Sequence, residues 1–90
     1  MATLCRDLIA AYDRAVGIEL RTQRLARGFS QSALALKLGV SYQQYGKYES
    51  GDNRVSAGRL ICALEVLGVS MSRFASAVST RTARKEQSAE

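Results

Sequence analysis

The 90-residue chain contains no histidine, no proline and no tryptophan, and only two cysteines, Cys5 and Cys62. Without histidine, and with cysteines 57 positions apart, no metal-ligand spacing exists, so no metal site and no cofactor are expected. No phosphate loop occurs and no nucleophile stands beside a base, so the chain does not read as an enzyme. Each cysteine sits among apolar residues and reads as a small core residue with a reduced thiol. Runs of valine, isoleucine and threonine of strand type are missing as well. The apolar stretch at residues 8–11 is too short for a leader and is followed by a charge, and no stretch approaches spanning length. These absences give the expectation of a cytoplasmic protein with no membrane contact.

What is present points to helix. Apolar residues make up 47% of the chain, enough for a core, and Leu, Ala, Gln, Arg and Glu dominate. The formal net charge is +5. Between residues 20 and 60, Arg21, Arg24, Arg27, Lys37, Lys47, Arg54 and Arg59 face only Glu49 and Asp52, so this stretch holds as much net charge as the whole chain. A basic surface of that kind suits a polyanion.

Punctuation by serine and glycine divides the chain into an all-α, five-helix domain. Residues 3–27 read as helix, with Leu4, Leu8, Tyr12, Val16 and Leu20 at fourfold spacing. Gly17 suggests a break, giving an N-terminal helical extension over residues 1–15 and a domain over residues 16–78. Ser30, Ser41, Ser56 and Ser70 stand where N-caps belong, and Gly28, Gly39, Gly51 and Gly68 where helices stop. The helices so bounded are Gln31–Leu38, residues 42–49, Ala57–Leu67 and residues 71–78. The stripe Leu60, Ile61, Leu64 and Leu67 reads as core. Residues 79–90 lack apolar periodicity and read as a disordered tail.

The informative stretch is residues 31–50. Two short helices meet over a turn containing Gly39, with small Ala35 where the backbones approach, which is the requirement of a steep helix pair. Ser30-Gln31, Leu34-Ala35, Leu38-Gly39-Val40-Ser41 and Lys47-Tyr48-Glu49-Ser50-Gly51, with Arg24 upstream and Leu60, Leu64 and Leu67-Gly68-Val69-Ser70 downstream, resemble the lambda-repressor-like (Cro-type, xenobiotic-response-element) helix-turn-helix family. The resemblance covers residues 16–74.

The resemblance implies a sequence-specific regulator of transcription bound to double-stranded DNA, nucleoid-associated, with residues 41–49 in the major groove. It implies base contacts from Tyr42, Gln43, Gln44 and Lys47, and phosphate contacts from Gln31, Ser41, Ser50, Asn53 and Arg54. Arg24 and Glu49 would form a structural ion pair, and Gln31 would brace a side chain of the reading helix. Tyr45 and Tyr48 would face inward. A homodimer on a pseudo-palindromic operator follows, through the extension (Leu4, Leu8, Tyr12), the fifth-helix region (Val69, Met71, Phe74, Val78), or both. The chain departs from the pattern at Gly46 inside the reading helix, at Tyr45 where an aliphatic residue is usual, and at Asn53-Arg54-Val55, where a proline is often found. The competing reading is an antitoxin-like interaction module whose DNA binding depends on a protein partner gripped by the extension. No separate ligand-sensing domain is expected in ninety residues, so control would come from concentration, oligomerisation, a partner or turnover.

Overall fold

The computed structural model describes the backbone of residues 2–88 and the side chains of residues 5–83. All of its regular structure is helical: α1 Ala2–Ala26, α2 Gln31–Leu38, α3 Tyr42–Ser50, α4 Ala57–Leu67 and α5 Met71–Ser88. The serines begin the helices as their chemistry requires. The hydroxyls of Ser30, Ser41 and Ser56 accept from the backbone N–H of Ala33, Gln44 and Arg59 at 3.0, 3.1 and 3.2 Å. Ser70 does the same for Arg73 at 3.2 Å, so each of these helix starts has one of its free donors satisfied. Between α2 and α3, Gly39 turns the chain with a φ of 72°, a left-handed conformation that a side chain resists.

The apolar faces meet in two adjoining clusters. Ala15 and Leu20 of α1 pack with Ala63 and Leu64 of α4 and with Phe74 and Val78 of α5. Leu34 and Ala35 of α2 pack with Tyr45 and Tyr48 of α3 and Leu67 of α4. Leu38, Val55 and Val69 touch both clusters, so α2 and α3 are set on a single continuous base.

Several expectations change here. Gly17 does not break α1, which runs without interruption through it. The glycine is buried where α1 crosses the end of α3, and a Cβ there would stand 2.5 Å from the carbonyl oxygens of both Tyr48 and Glu49. It is a crossing point, and only a residue without a side chain fits. The segment from residue 79 is not a disordered tail as far as residue 88, because α5 continues to Ser88; residues 89 and 90 lie outside the described residues. Its continuation has partners: Arg81 Nε donates to Glu19 Oε1 at 2.8 Å, Arg81 Nη2 to Thr22 Oγ1 at 3.3 Å, and Thr82 is buried with its hydroxyl on the Val78 carbonyl. Cys5 and Cys62 are both exposed thiols rather than core residues. Ile61, at the edge of its stripe, is 47% exposed, because Leu60, Ala63, Leu64 and Leu67 already fill the inward side of α4.

Candidate nucleic-acid interface

Helix α3 is short, and its burial is one-sided. At about 100° per residue, Tyr45, Tyr48 and Glu49 fall on one side and Gln43, Gly46, Lys47 and Ser50 on the other, with Tyr42 and Gln44 at the two edges. The structure follows this geometry. Tyr45 is fully enclosed and Tyr48 nearly so, their rings edge to face at 6.2 Å and 87°. Tyr42, Gln43, Lys47 and Ser50 are exposed, and Gln44 is half-buried.

A polar network fixes this orientation. Arg24 of α1 forms a two-pronged pair with Glu49, Nε to Oε2 at 2.6 Å and Nη2 to Oε1 at 3.1 Å. Its remaining prong, Nη1, donates to the Phe29 carbonyl at 2.8 Å, tying α1, the loop to α2, and α3 together. Gln31, at the start of α2, donates from Nε2 to Glu49 Oε1 at 3.0 Å. Burial works to raise the Glu49 carboxyl, but the hydrogen bonds from Arg24 and Gln31 outweigh it and its pKa falls below the ordinary carboxylate value. The Arg24 guanidinium is held still more firmly charged by its hydrogen bond to Glu49. The Tyr45 hydroxyl lies close to this pair without meeting hydrogen-bond geometry, and it is a buried side-chain polar atom with no partner in the structure. Burial first, and the neighbouring Glu49 carboxylate after it, push its pKa far above that of a free tyrosine.

The expected phosphate-contacting residues surround the exposed side of α3, but most are engaged locally. Ser41 caps the helix. The Ser50 hydroxyl donates to the Lys47 carbonyl at 3.2 Å and to Asp52 Oδ2 at 3.1 Å. Asn53 Nδ2 donates to Gln44 Oε1 at 3.4 Å, which draws Gln44 toward the α3–α4 loop. Arg54 Nε pairs with Asp13 Oδ2 at 3.0 Å, yet its side chain remains 77% exposed. That pair, which joins the N-terminal half of α1 to the loop, was not foreseen; its partners are 41 positions apart and no local spacing links them. The Glu19–Arg81 pair was also missed, although the bond from Gln23 to Glu19 follows from their i, i+4 spacing.

Of the residues expected at a dimer surface, Phe74 and Val78 are corrected to core: they are 2% and 7% exposed and pack against α1 and α4. Val69 also packs against the core. Leu8 is half-buried, while Tyr12 and Met71 are exposed. The Leu4 side chain lies outside the described residues. Among the described residues, no group of three or more histidine, cysteine, aspartate or glutamate side chains is placed to hold a metal ion. No single helix there is long and apolar enough to cross a membrane.

Two short helices joined through Gly39, Val40 and Ser41, the second with a polar, solvent-facing side, make a helix-turn-helix. The helix-turn-helix family model HTH_3 matches residues 20–74. The chain belongs to this family, the Cro/C1-type helix-turn-helix proteins, a family of DNA-binding transcriptional regulators. It is 38% identical over 68 residues to an uncharacterised HTH-type transcriptional regulator of Rickettsia conorii, covering 76% of this chain and 54% of that one. It is 45% identical over 64 residues to another from Sinorhizobium fredii, covering 71% of this chain and 45% of the relative. The chain thus spans about half the length of the curated relatives it matches. Among solved structures it is similar to the clp gene regulator ClgR of Corynebacterium glutamicum, with a TM-score of 0.81, 25% identity, and coverage of 86% of this chain and 82% of that one.

Proposed function

We propose that the chain is a sequence-specific regulator that inserts the exposed side of α3 into the major groove of duplex DNA. The observation that carries this reading is the division of α3 into a locked inner side and a free outer one. Glu49, Tyr45 and Tyr48 hold the helix to the domain, and Tyr42, Gln43 and Lys47 stand outward without structural duties. The Gln43 amide suits adenine N6 and N7, and Lys47 can donate to guanine O6 or N7. Tyr42 can meet a thymine methyl with its ring, and Gln44 serves at the edge. Phosphates would be gripped by the free backbone N–H groups at Gln31, where the positive end of α2 emerges, and by Ser41, Ser50, Asn53 and Arg54. Arg54 can turn to a phosphate at little expense, because an exposed ion pair such as Arg54–Asp13 contributes about 0–1 kcal/mol.

One such domain reads few base pairs, so the reading includes a homodimer on a pseudo-palindromic operator, with half-sites about 10–10.5 bp apart. With Phe74 and Val78 committed to the core, the dimer would draw on Leu8, Tyr12 and Met71. A protein partner at the N-terminal half of α1 is the competing arrangement, supported by the exposure there of Ile9 and Tyr12.

Selection of bound duplexes from a random pool at near-physiological salt tests the whole reading. A two-fold symmetric motif is expected. Enrichment of nothing, with only salt-sensitive binding to any duplex, would remove it and favour the partner. Lys47→Ala is expected to lose about 1–3 kcal/mol and to relax preference at one position. A loss equal for every sequence, with a salt slope shallower by about 0.9, would place Lys47 on a phosphate instead.

A further inference from the structure

The Gln31 side chain is turned in a way that a phosphate contact does not explain. Its Nε2 donates to Glu49 Oε1. Glu49 is held ionised by Arg24, and an ionised carboxylate only accepts, so the NH2 end of the amide must face it. The amide therefore cannot turn over, and its carbonyl oxygen, Oε1, is the end left free. Oε1 lies 3.8 Å from where a Cβ of Gly46 would stand. Gly46 is on the outward side of α3, beside Gln43 and Lys47, and having no side chain it places none against that oxygen. Among the described residues nothing donates to it.

An acceptor on this surface has no use for a phosphate, whose oxygens only accept. In the major groove it matches an exocyclic amino group, which only adenine (N6) and cytosine (N4) present. We propose that Gln31 is a specificity-determining residue: its side-chain carbonyl accepts from the amino group of one adenine or cytosine, reached through the gap that Gly46 leaves on α3. The backbone N–H of Gln31 remains available to a phosphate. Arg24 and Glu49 are positioning residues, holding the amide in the one orientation that reads a donor. The inference rests on α3 entering the major groove.

The test is duplex selection with the wild type, Gln31→Met and Gly46→Ala, each checked for folding by thermal unfolding. Gln31→Met keeps length and loses the acceptor. It is expected to lose the preference for adenine or cytosine at one position per half-site, by about fivefold or more, with the other positions unchanged. Gly46→Ala places a methyl in the gap and is expected to weaken the same position while folding at least as well. An unchanged motif in both variants, an equal loss across all sequences, or a lost preference for guanine or thymine would overturn the inference while leaving the groove reading intact. A wild type that selects no motif would overturn both. If Gln31→Met folds poorly, Gly46→Ala decides alone, and an unchanged motif then rules the inference out.

Discussion

Gly17→Ala is expected to cost the protein about 3 kcal/mol, the upper end for overpacking a tight contact. Local preference predicts the opposite. Alanine in the interior of a helix is favoured over glycine by about 1 kcal/mol, and α1 is helical on both sides of Gly17. The crossing decides the sign. The new Cβ would lie 2.5 Å from two carbonyl oxygens in the last turn of α3 and 2.9 Å from the Glu49 carbonyl carbon. These are backbone atoms and cannot rotate away. Nor can the helices part, because Arg24, two turns along α1 from Gly17, grips Glu49 at the same end of α3.

Gly46→Ala supplies the control, since it makes the same chemical change in another helix. The nearest atom to its Cβ is Gln31 Oε1 at 3.8 Å, an ordinary contact. It is expected to gain about 1 kcal/mol through helix preference and a less flexible unfolded chain. For a domain of this size each kcal/mol moves the melting temperature by about 4–8 °C. Thermal unfolding of the two variants should thus move in opposite directions from the wild type. A Gly17→Ala protein as stable as the wild type would show that the two helices can move apart and that the close approach at Gly17 does not fix α3 against α1.

These two glycines also show where the sequence is legible and where it is not. Serine at the start and glycine at the end of α2, α3 and α4 act through atoms within a few residues, so those helices could be bounded from the sequence. The exposure of Gln43 and Lys47 followed in the same way, from their angle relative to Tyr45 and Tyr48. Gly17 could not be read locally. A glycine within a helical pattern is a break or a contact according to what lies against it, and its neighbours here are Tyr48 and Glu49. The continuation of α5 depends likewise on Glu19 and Thr22, 62 and 59 positions from Arg81. Phe74 and Val78 had the right periodicity for burial. Periodicity does not say whether the covering surface belongs to the same chain, and here α1 and α4 provide it. The Arg24–Glu49 pair came from the family resemblance alone, since a buried charge contradicts what composition would suggest.

That pair gives the largest effect on stability. The Arg24 and Glu49 side chains are only 8% and 4% exposed. Arg24→Ala strands a buried carboxylate and releases the Phe29 carbonyl and α3 together, so a loss of about 3–5 kcal/mol is expected. The double variant Arg24→Met, Glu49→Leu removes both charges and should recover most of that loss, because the buried pair must offset its own dehydration. It should not recover the preference at the position that Gln31 reads, since Gln31 loses its anchor. The pH dependence separates the pair from simple packing. The folded Glu49 carboxyl titrates below its ordinary 4.5, so its contribution is present above about pH 4.5 and is lost as the pH falls through the folded value. The raised Arg24 contribution is present throughout the working range. Tyr45, raised above its ordinary 10.0 by burial, contributes below pH 10 and loses that contribution as the pH rises further. Urea midpoints measured against pH should therefore show a plateau between about pH 5 and 10 with a fall on each side. The acid fall should become shallower in the double variant, and the alkaline fall in Tyr45→Phe, which also removes the unpartnered buried hydroxyl. An acid limb equally steep in the double variant would rule out Glu49 as the source of the acid sensitivity.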